Sequence, residues 1–501
     1  MEAAITEATT PVRRSSKPRV AALAVILLAA GVLRIINLGS KSIWLDESYR
    51  IFLARMDGHD FLQAVRHPFG ANSVAYHLVL RYWLLLGSSE AAIRSLSVMF
   101  GLAMVLAIYK LGTELFDWQT GLIAAALAAS NALLIEYSQE IGAYTPAALL
   151  AVISSVYLWR AVRDNRRGHW IGYGMAATAM LYCHVLCIFV VAAQAGAAVV
   201  ARRSKLRFGA ITTMGLVGAA FVPLAWCIAF GVPRPHVWTT APGIRDLLHF
   251  VIAMGGPDGL LLSALFLLLV MLSLWYRGDG SLGQDRWRHS LLLMWALAPP
   301  ILLFLMSQWK PLFIPRYLLP SVPPVLLLAA AGLRSVSRKG LGSILIAAVL
   351  LVSVYNSALY LRHRSDYQHS DDWRDATAYL VRTAQAGDTL LFFYPHERFP
   401  FQYYLSRFAP NGIPAFVFPS GNDESVLETD FRPSESAAWE AATRRQSQRV
   451  WLITEYAPNP QLVKFRGALS RRFQNSQEQH FGFIQIDLFT AANASHPPAT
   501  P

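Results

Sequence analysis

Long apolar runs alternate with short polar connections up to about residue 360, and then the pattern changes. Residues 20–30, 121–129 and 344–354 are almost free of charge. A helix needs about 20 apolar residues to cross the hydrocarbon core of a bilayer. On that measure the pattern predicts eleven spans, at 20–38, 91–110, 119–136, 144–162, 169–183, 185–201, 208–230, 250–276, 290–307, 317–334 and 341–360. Beyond residue 360 the apolar runs shorten to strand length. Helix-like stretches at 372–384, 400–407, 434–448 and 460–472 alternate with strand-like ones at 389–394, 415–418, 449–456 and 481–489. That alternation predicts a small α/β domain. The predicted organisation is a cytoplasmic tail over 1–19, a transmembrane domain over 20–360, an extracytoplasmic α/β domain over 361–490 and a disordered tail over 491–501.

Charge placement supplies orientation. With Arg13, Arg14, Lys17 and Arg19 in the cytoplasm, eleven spans put every strong basic cluster inside, as the positive-inside rule requires. These clusters are Arg160/Arg163/Arg166/Arg167, Arg202/Arg203/Lys205/Arg207, Arg277/Arg286/Arg288 and Arg334/Arg338/Lys339. The count holds only if residues 73–87 do not cross. That segment is short and carries His77 and Arg81, so it is expected to lie in the outer interface. The first outer loop is then 39–92. The first apolar stretch exceeds the length of a signal-peptide core and many spans follow, so it is read as an uncleaved helix.

Composition agrees. Hydrophobic residues make up 54% of the 501 and charged residues 15%, against about 25% charged in a soluble domain. The net charge of +13 lies in loop clusters without the basic–aromatic interleaving of nucleic-acid binders, so no nucleic-acid partner is expected. Cys183, Cys187 and Cys227 fall in apolar spans and form neither a disulfide framework nor a metal knuckle.

Candidate chemistry gathers on the outer side. Trp44-Leu45-Asp46-Glu47-Ser48-Tyr49-Arg50 sets two adjacent acids at the membrane surface, where a carboxylate takes a proton from a hydroxyl or holds a divalent ion; solvated acids in an interfacial loop are the plainer alternative. Glu136-Tyr137-Ser138-Gln139-Glu140, with Tyr144 beyond it, forms the next outer connection. His67-Pro68, Tyr76-His77 and Tyr182-Cys183-His184 add histidines, which are either structural or suited to a sugar, a phosphate or a metal. Lys310, Arg316 and Tyr317 lie in another outer loop, where cations meet a lipid phosphate or merely snorkel to the headgroups.

In order and spacing these pieces resemble the GT-C glycosyltransferases, in particular the bacterial branch related to protein O-mannosyltransferases and the lipid A aminoarabinose transferase. The resemblance is carried by Trp44-Leu45-Asp46-Glu47, His67-Pro68, Gly87-Ser88-Ser89-Glu90 with Arg94, Tyr137-Ser138-Gln139-Glu140 with Tyr144, Arg316-Tyr317-Leu318-Leu319-Pro320 and Asp371-Asp372-Trp373-Arg374, over residues 20–380. It implies catalytic roles for Asp46 as base, Glu47 and Glu140, and substrate contacts from His67, Tyr49, Arg50, Tyr144, Lys310, Arg316 and Tyr317. Phe69 stands where many relatives carry a second proline, and Gly142 where many carry an arginine. The latter puts one phosphate contact in question.

The implied activity is transfer of a sugar from a polyprenyl-phosphate donor to a hydroxyl of a glycolipid, polysaccharide or protein, by single displacement, at the periplasmic face of a bacterial inner membrane. Membrane lipids are the surrounding partners. A divalent ion on Asp46, Glu140 and His67 is the one candidate cofactor. A lipid-linked glycan ligase or polymerase and a non-enzymatic lipid or glycan transporter are the rival readings.

Overall fold

A computed structural model describes residues 17–66, 68–200, 207–230, 240–275, 282–337, 342–363, 372–418, 448–455 and 460–491. His67, Asp371, the expected helix at 434–448 (its last residue apart) and most of both tails lie outside the described residues.

The protein is a polytopic membrane helical bundle carrying a small C-terminal α/β domain. Seven described helices are long and apolar enough to cross a membrane: Lys17–Ile35, Glu90–Leu115, Tyr144–Asp164, Phe208–Phe230, Arg286–Met306, Pro315–Ser337 and Gly342–Arg362. Other expected spans are present as shorter or bent pieces. Leu260–Trp275 is separated from Ile244–Ala253 by a turn through Gly255 and Gly256. The segment expected at 73–87 forms helix Val74–Trp83, whose ten residues are half the length a crossing needs.

The span expected at 119–136 breaks into Trp118–Ala129 and Ala132–Ser138, bent by 62°. Buried polar side chains hold the bend. The Arg34 guanidinium donates to the carbonyls of Ala128 (3.1 Å) and Ala129 (3.0 Å), at the end of the first piece, and to Ser138 Oγ (3.2 Å). Gln139 Nε2 returns the arrangement by donating to the carbonyls of Arg34 (3.0 Å) and Ile36 (2.9 Å). Each side chain thereby satisfies carbonyls that a helix end leaves open. Asn131 caps the second piece by accepting from the Leu134 N–H (3.0 Å). The approach is close enough that a Cβ on Gly101 would collide with Ser138 Oγ.

The C-terminal unit is a five-stranded sheet in the order β2-β1-β3-β5-β4. Its strands are β1 Thr389–Phe392, β2 Phe416–Phe418, β3 Arg449–Glu455, β4 Phe473–Phe481 and β5 Ile484–Ala491. β1 pairs in parallel with β2 and β3, whereas β5 runs antiparallel to β3 and β4. The single strand expected at 481–489 is in fact a hairpin turning at Gly482, with φ of 61°. β4 lacks an apolar pattern because it is the edge strand, with most side chains facing solvent.

The sheet domain docks on the bundle through one shared core. Ile43, Ile51, Tyr76, Leu80 and Ile93 pack in a single apolar cluster with Trp373, Phe392, Tyr404 and Trp451. Around it, the Tyr404 hydroxyl accepts from the Ile43 N–H (2.7 Å), and Glu90 pairs with Arg374 (3.0 Å) and Arg407 (2.9 Å).

Candidate active site

Helix Leu45–Arg55 opens with Asp46 and Glu47 in its first turn, where carboxylates complement the positive end of the helix dipole. Adjacent residues project about 100° apart around a helix, and these two acids meet different surroundings.

Glu47 is fully buried against Arg94. The guanidinium grips both carboxylate oxygens, with Nε to Oε1 at 2.9 Å and Nη2 to Oε2 at 2.6 Å. Arg94 also donates to the carbonyls of Leu38, Lys41 and Ser42, gathering the loop ahead of the helix. Glu47 Oε1 accepts a further bond from the Ile141 N–H at 2.9 Å. Burial by itself raises the Glu47 carboxyl, but the charge and hydrogen bonds of Arg94, with the Ile141 N–H, outweigh it and hold the group below its ordinary value.

Asp46 faces an open, cationic and aromatic surrounding. Its side chain keeps 30% of its exposure, against 1% for Glu47, so only Asp46 is open to an incoming group. Arg316 Nη2 lies 2.8 Å from Asp46 Oδ2. Arg50, one turn along the helix, lies 4.0 Å from the same oxygen and donates to the Tyr144 hydroxyl at 2.7 Å. The Arg316 guanidinium sits over the rings of Trp44 (5.4 Å), Tyr144 (5.9 Å) and Tyr317 (5.9 Å), which fixes a flat cation among flat faces.

Glu140 occupies the turn between Ser138 and Tyr144, buried, with Oε1 lacking a hydrogen-bond partner. Its carbonyl accepts from Ser97 Oγ at 2.6 Å. Burial, and then the charge of Glu47, hold its carboxyl above the ordinary value. Glu47 therefore adjoins Asp46 in sequence and, through Ile141, fixes the backbone beside Glu140.

Of the residues singled out in the sequence, Asp46, Arg50, Tyr144, Arg316 and Tyr317 form one contiguous group. Tyr49 turns instead to Phe399 of the C-terminal domain, with ring centroids 5.5 Å apart. Lys310 is exposed and forms no salt bridge among the described residues. Two members were not assigned to the site from sequence: Arg94, the partner of Glu47, and Tyr137, edge-on to Tyr144 at 5.6 Å. An arginine five residues into an apolar helix was the available signal for the first. Tyr137 carried none beyond its motif.

Of the expected ligand set His67 lies outside the described residues, and the described members do not by themselves fit a divalent cation. Asp46 and Glu47 are each engaged by an arginine, Glu140 is held towards its neutral form, and no group of three or more His, Cys, Asp or Glu converges among the described residues. Arg316 and Arg50 converge on the one exposed carboxylate of Asp46, a cationic setting that suits an anion such as a phosphate.

A membrane bundle with a docked C-terminal α/β domain is the fold this chain shares with solved GT-C structures. The dolichyl-phosphate-mannose-protein mannosyltransferase family is matched over residues 72–226. Among solved structures, apo ArnT from Cupriavidus metallidurans is similar at 13% identity and a TM-score of 0.64, over 94% of this chain and 98% of that one. The same protein bound to undecaprenyl phosphate gives 13% identity and 0.62, over 96% and 100%. The oligosaccharyltransferase AglB from Archaeoglobus fulgidus, in complex with an inhibitory peptide and a dolichol-phosphate, gives 12% and 0.58, over 96% and 75%. No curated protein matches the sequence.

Proposed function

We propose that this chain is a glycosyltransferase that takes a sugar from a polyprenyl-phosphate donor and places it on an acceptor hydroxyl at the periplasmic face of a bacterial inner membrane. The observation that carries the reading is the contact of Arg316 with Asp46, which sets a phosphate-binding cation against an accessible base. The similar ArnT structure holds undecaprenyl phosphate, a ligand of the class this cation suits.

In the proposed reaction the donor enters from the lipid, and its phosphate is met by Arg316 and Arg50. Lys310, on the exposed loop, attracts the anion from outside the site. Asp46 takes the proton of the acceptor hydroxyl, and that oxygen bonds to the anomeric carbon. The bond from that carbon to the phosphate oxygen breaks, and the departing polyprenyl phosphate keeps the electron pair. Tyr144 and Tyr317 flank the reacting centre. Glu47 acts through position, holding Asp46 and Glu140 in one frame, and Glu140 presents its carboxyl to the substrate. A single displacement inverts the anomeric centre. The acceptor is a glycolipid, a polysaccharide or a protein.

The test is a transfer assay with purified protein in detergent, radiolabelled polyprenyl-phosphate sugars and a membrane extract of acceptors. Labelled product with inverted anomeric configuration is the expected result. Retained configuration would refute the single displacement. Absence of transfer from every carrier, beside a working control enzyme, would refute the donor class.

A further inference from the structure

Beside the arginine–aspartate centre lies a group of buried polar atoms that nothing in the protein satisfies. His77, on helix Val74–Trp83, is 1% exposed, and neither ring nitrogen has a hydrogen-bond partner. His184, at the end of helix Arg167–Cys183, is 3% exposed, and its Nε2 is likewise unpartnered. Asn72 Oδ1 is the third. The group is contiguous with the site. The Asn72 carbonyl accepts from the Val185 N–H at 3.2 Å, joining the two segments. The His184 ring lies 5.0 Å from Tyr317 and 5.7 Å from Tyr144. The charge of Arg50 acts on both imidazoles.

Unsatisfied buried polar atoms are rare in folded proteins and call for a physical reason. An apolar residue at any of these positions would cost the fold less. Groups kept against stability cluster at functional sites.

We propose that Asn72, His77 and His184 form the subsite for the transferred sugar, and that this sugar is an uncharged polyhydroxylated unit. The inference rests on the donor class proposed above. A neutral imidazole offers one N–H donor and one acceptor nitrogen, and Asn72 Oδ1 offers an acceptor. A hydroxyl both donates and accepts, so it matches all three. A cationic amino sugar would need a carboxylate, and none bonds these histidine nitrogens or Asn72 Oδ1. A uronic acid would find no cation here beyond those engaged by the phosphate and by Asp46. Burial, and then the Arg50 charge, push the His77 ring down to about 3, so it stays neutral at working pH.

The test measures binding in detergent of three ligands: undecaprenyl phosphate, the same carrier bearing a neutral hexose, and the same carrier bearing an amino sugar. The wild type is expected to bind the hexose carrier on the order of tenfold more tightly than the amino-sugar carrier, as one or two hydrogen bonds allow. His77→Leu is expected to lose that margin, to bind the bare carrier as the wild type does, and to melt no lower. Asn72→Ala gives a second, milder loss on the hexose carrier alone. Equal binding of the hexose carrier by wild type and both variants would overturn the subsite, as would preference for the amino sugar. A His77→Leu protein that melts lower and loses the bare carrier as well would show a structural role instead. If the wild type fails to bind even bare undecaprenyl phosphate, the donor class itself fails, and this inference with it.

Discussion

Glu47 and Asp46 are neighbours in opposite surroundings, one sealed and one exposed, and the difference is measurable. Glu47→Ala would leave the Arg94 guanidinium buried without its counter-charge. Breaking a buried pair on one side costs about 3–5 kcal/mol, so this variant should melt well below the wild type, whereas Asp46→Asn, at a partly exposed position, should melt close to it. Glu140 makes a prediction about pH. Its carboxyl lies above the ordinary value of 4.5 when folded. From pH 4.5 up to the raised value, the unfolded chain releases a proton that the folded chain keeps. Stability from this group therefore falls as pH rises through that window. Glu140→Gln should remove the fall, so that the variant melts above the wild type at neutral pH while transferring sugar more slowly. Glu47 has the opposite sign. Its contribution is present above 4.5 and is lost as pH falls through its lowered value. The acid pair was legible in the sequence because it stands beside an aromatic at the mouth of a span. The difference in their surroundings was not, because it depends on which side of helix Leu45–Arg55 meets Arg94, a residue 47 positions away.

Among the elements, the 62° bend brings the second acid to the first. Arg34 caps the first piece there, Gln139 caps the helix that bears Arg34, and Ser130 and Ser353 tie the bend to helix Gly342–Arg362. Arg34→Met would strip the end carbonyls of Ala128 and Ala129 of their donors, at a cost of about 1–3 kcal/mol. Transfer should fall with stability, because Glu140 is carried on the far side of the bend. Read as hydrophobicity, residues 119–136 were one span; the break is written in polar residues, Ser130 and Asn131, each of which also bonds a distant segment, at Ser353 and at the Met254 carbonyl. The short helix Val74–Trp83 was legible for a different reason: its length and its histidine and arginine exclude a crossing. Strand β4 was not legible, since an exposed edge strand carries no periodic signal.

For the whole molecule, the C-terminal domain is part of the site's frame. The core it shares with the first loop runs from Ile43 to Trp451, and Phe399 packs on Tyr49 and Phe52 of the helix that bears Asp46. The Glu90 ion pairs are partly exposed and individually worth little; the apolar core and the Tyr404 hydroxyl carry the docking. Glu90→Gln should leave protease resistance of the domain nearly unchanged, whereas Tyr404→Ala, which opens a cavity at the seam, should raise cleavage and reduce transfer together.

In the proposed reaction the exposed acid of the first loop works on a lipid-phosphate sugar held by Arg316. This is tested most directly by comparing wild type with Asp46→Asn for both binding and transfer of one radiolabelled polyprenyl-phosphate sugar. Asp46→Asn should still bind the donor and lose transfer by roughly a hundredfold or more, the range of a removed general base. Transfer at the wild-type rate by the folded variant would contradict it.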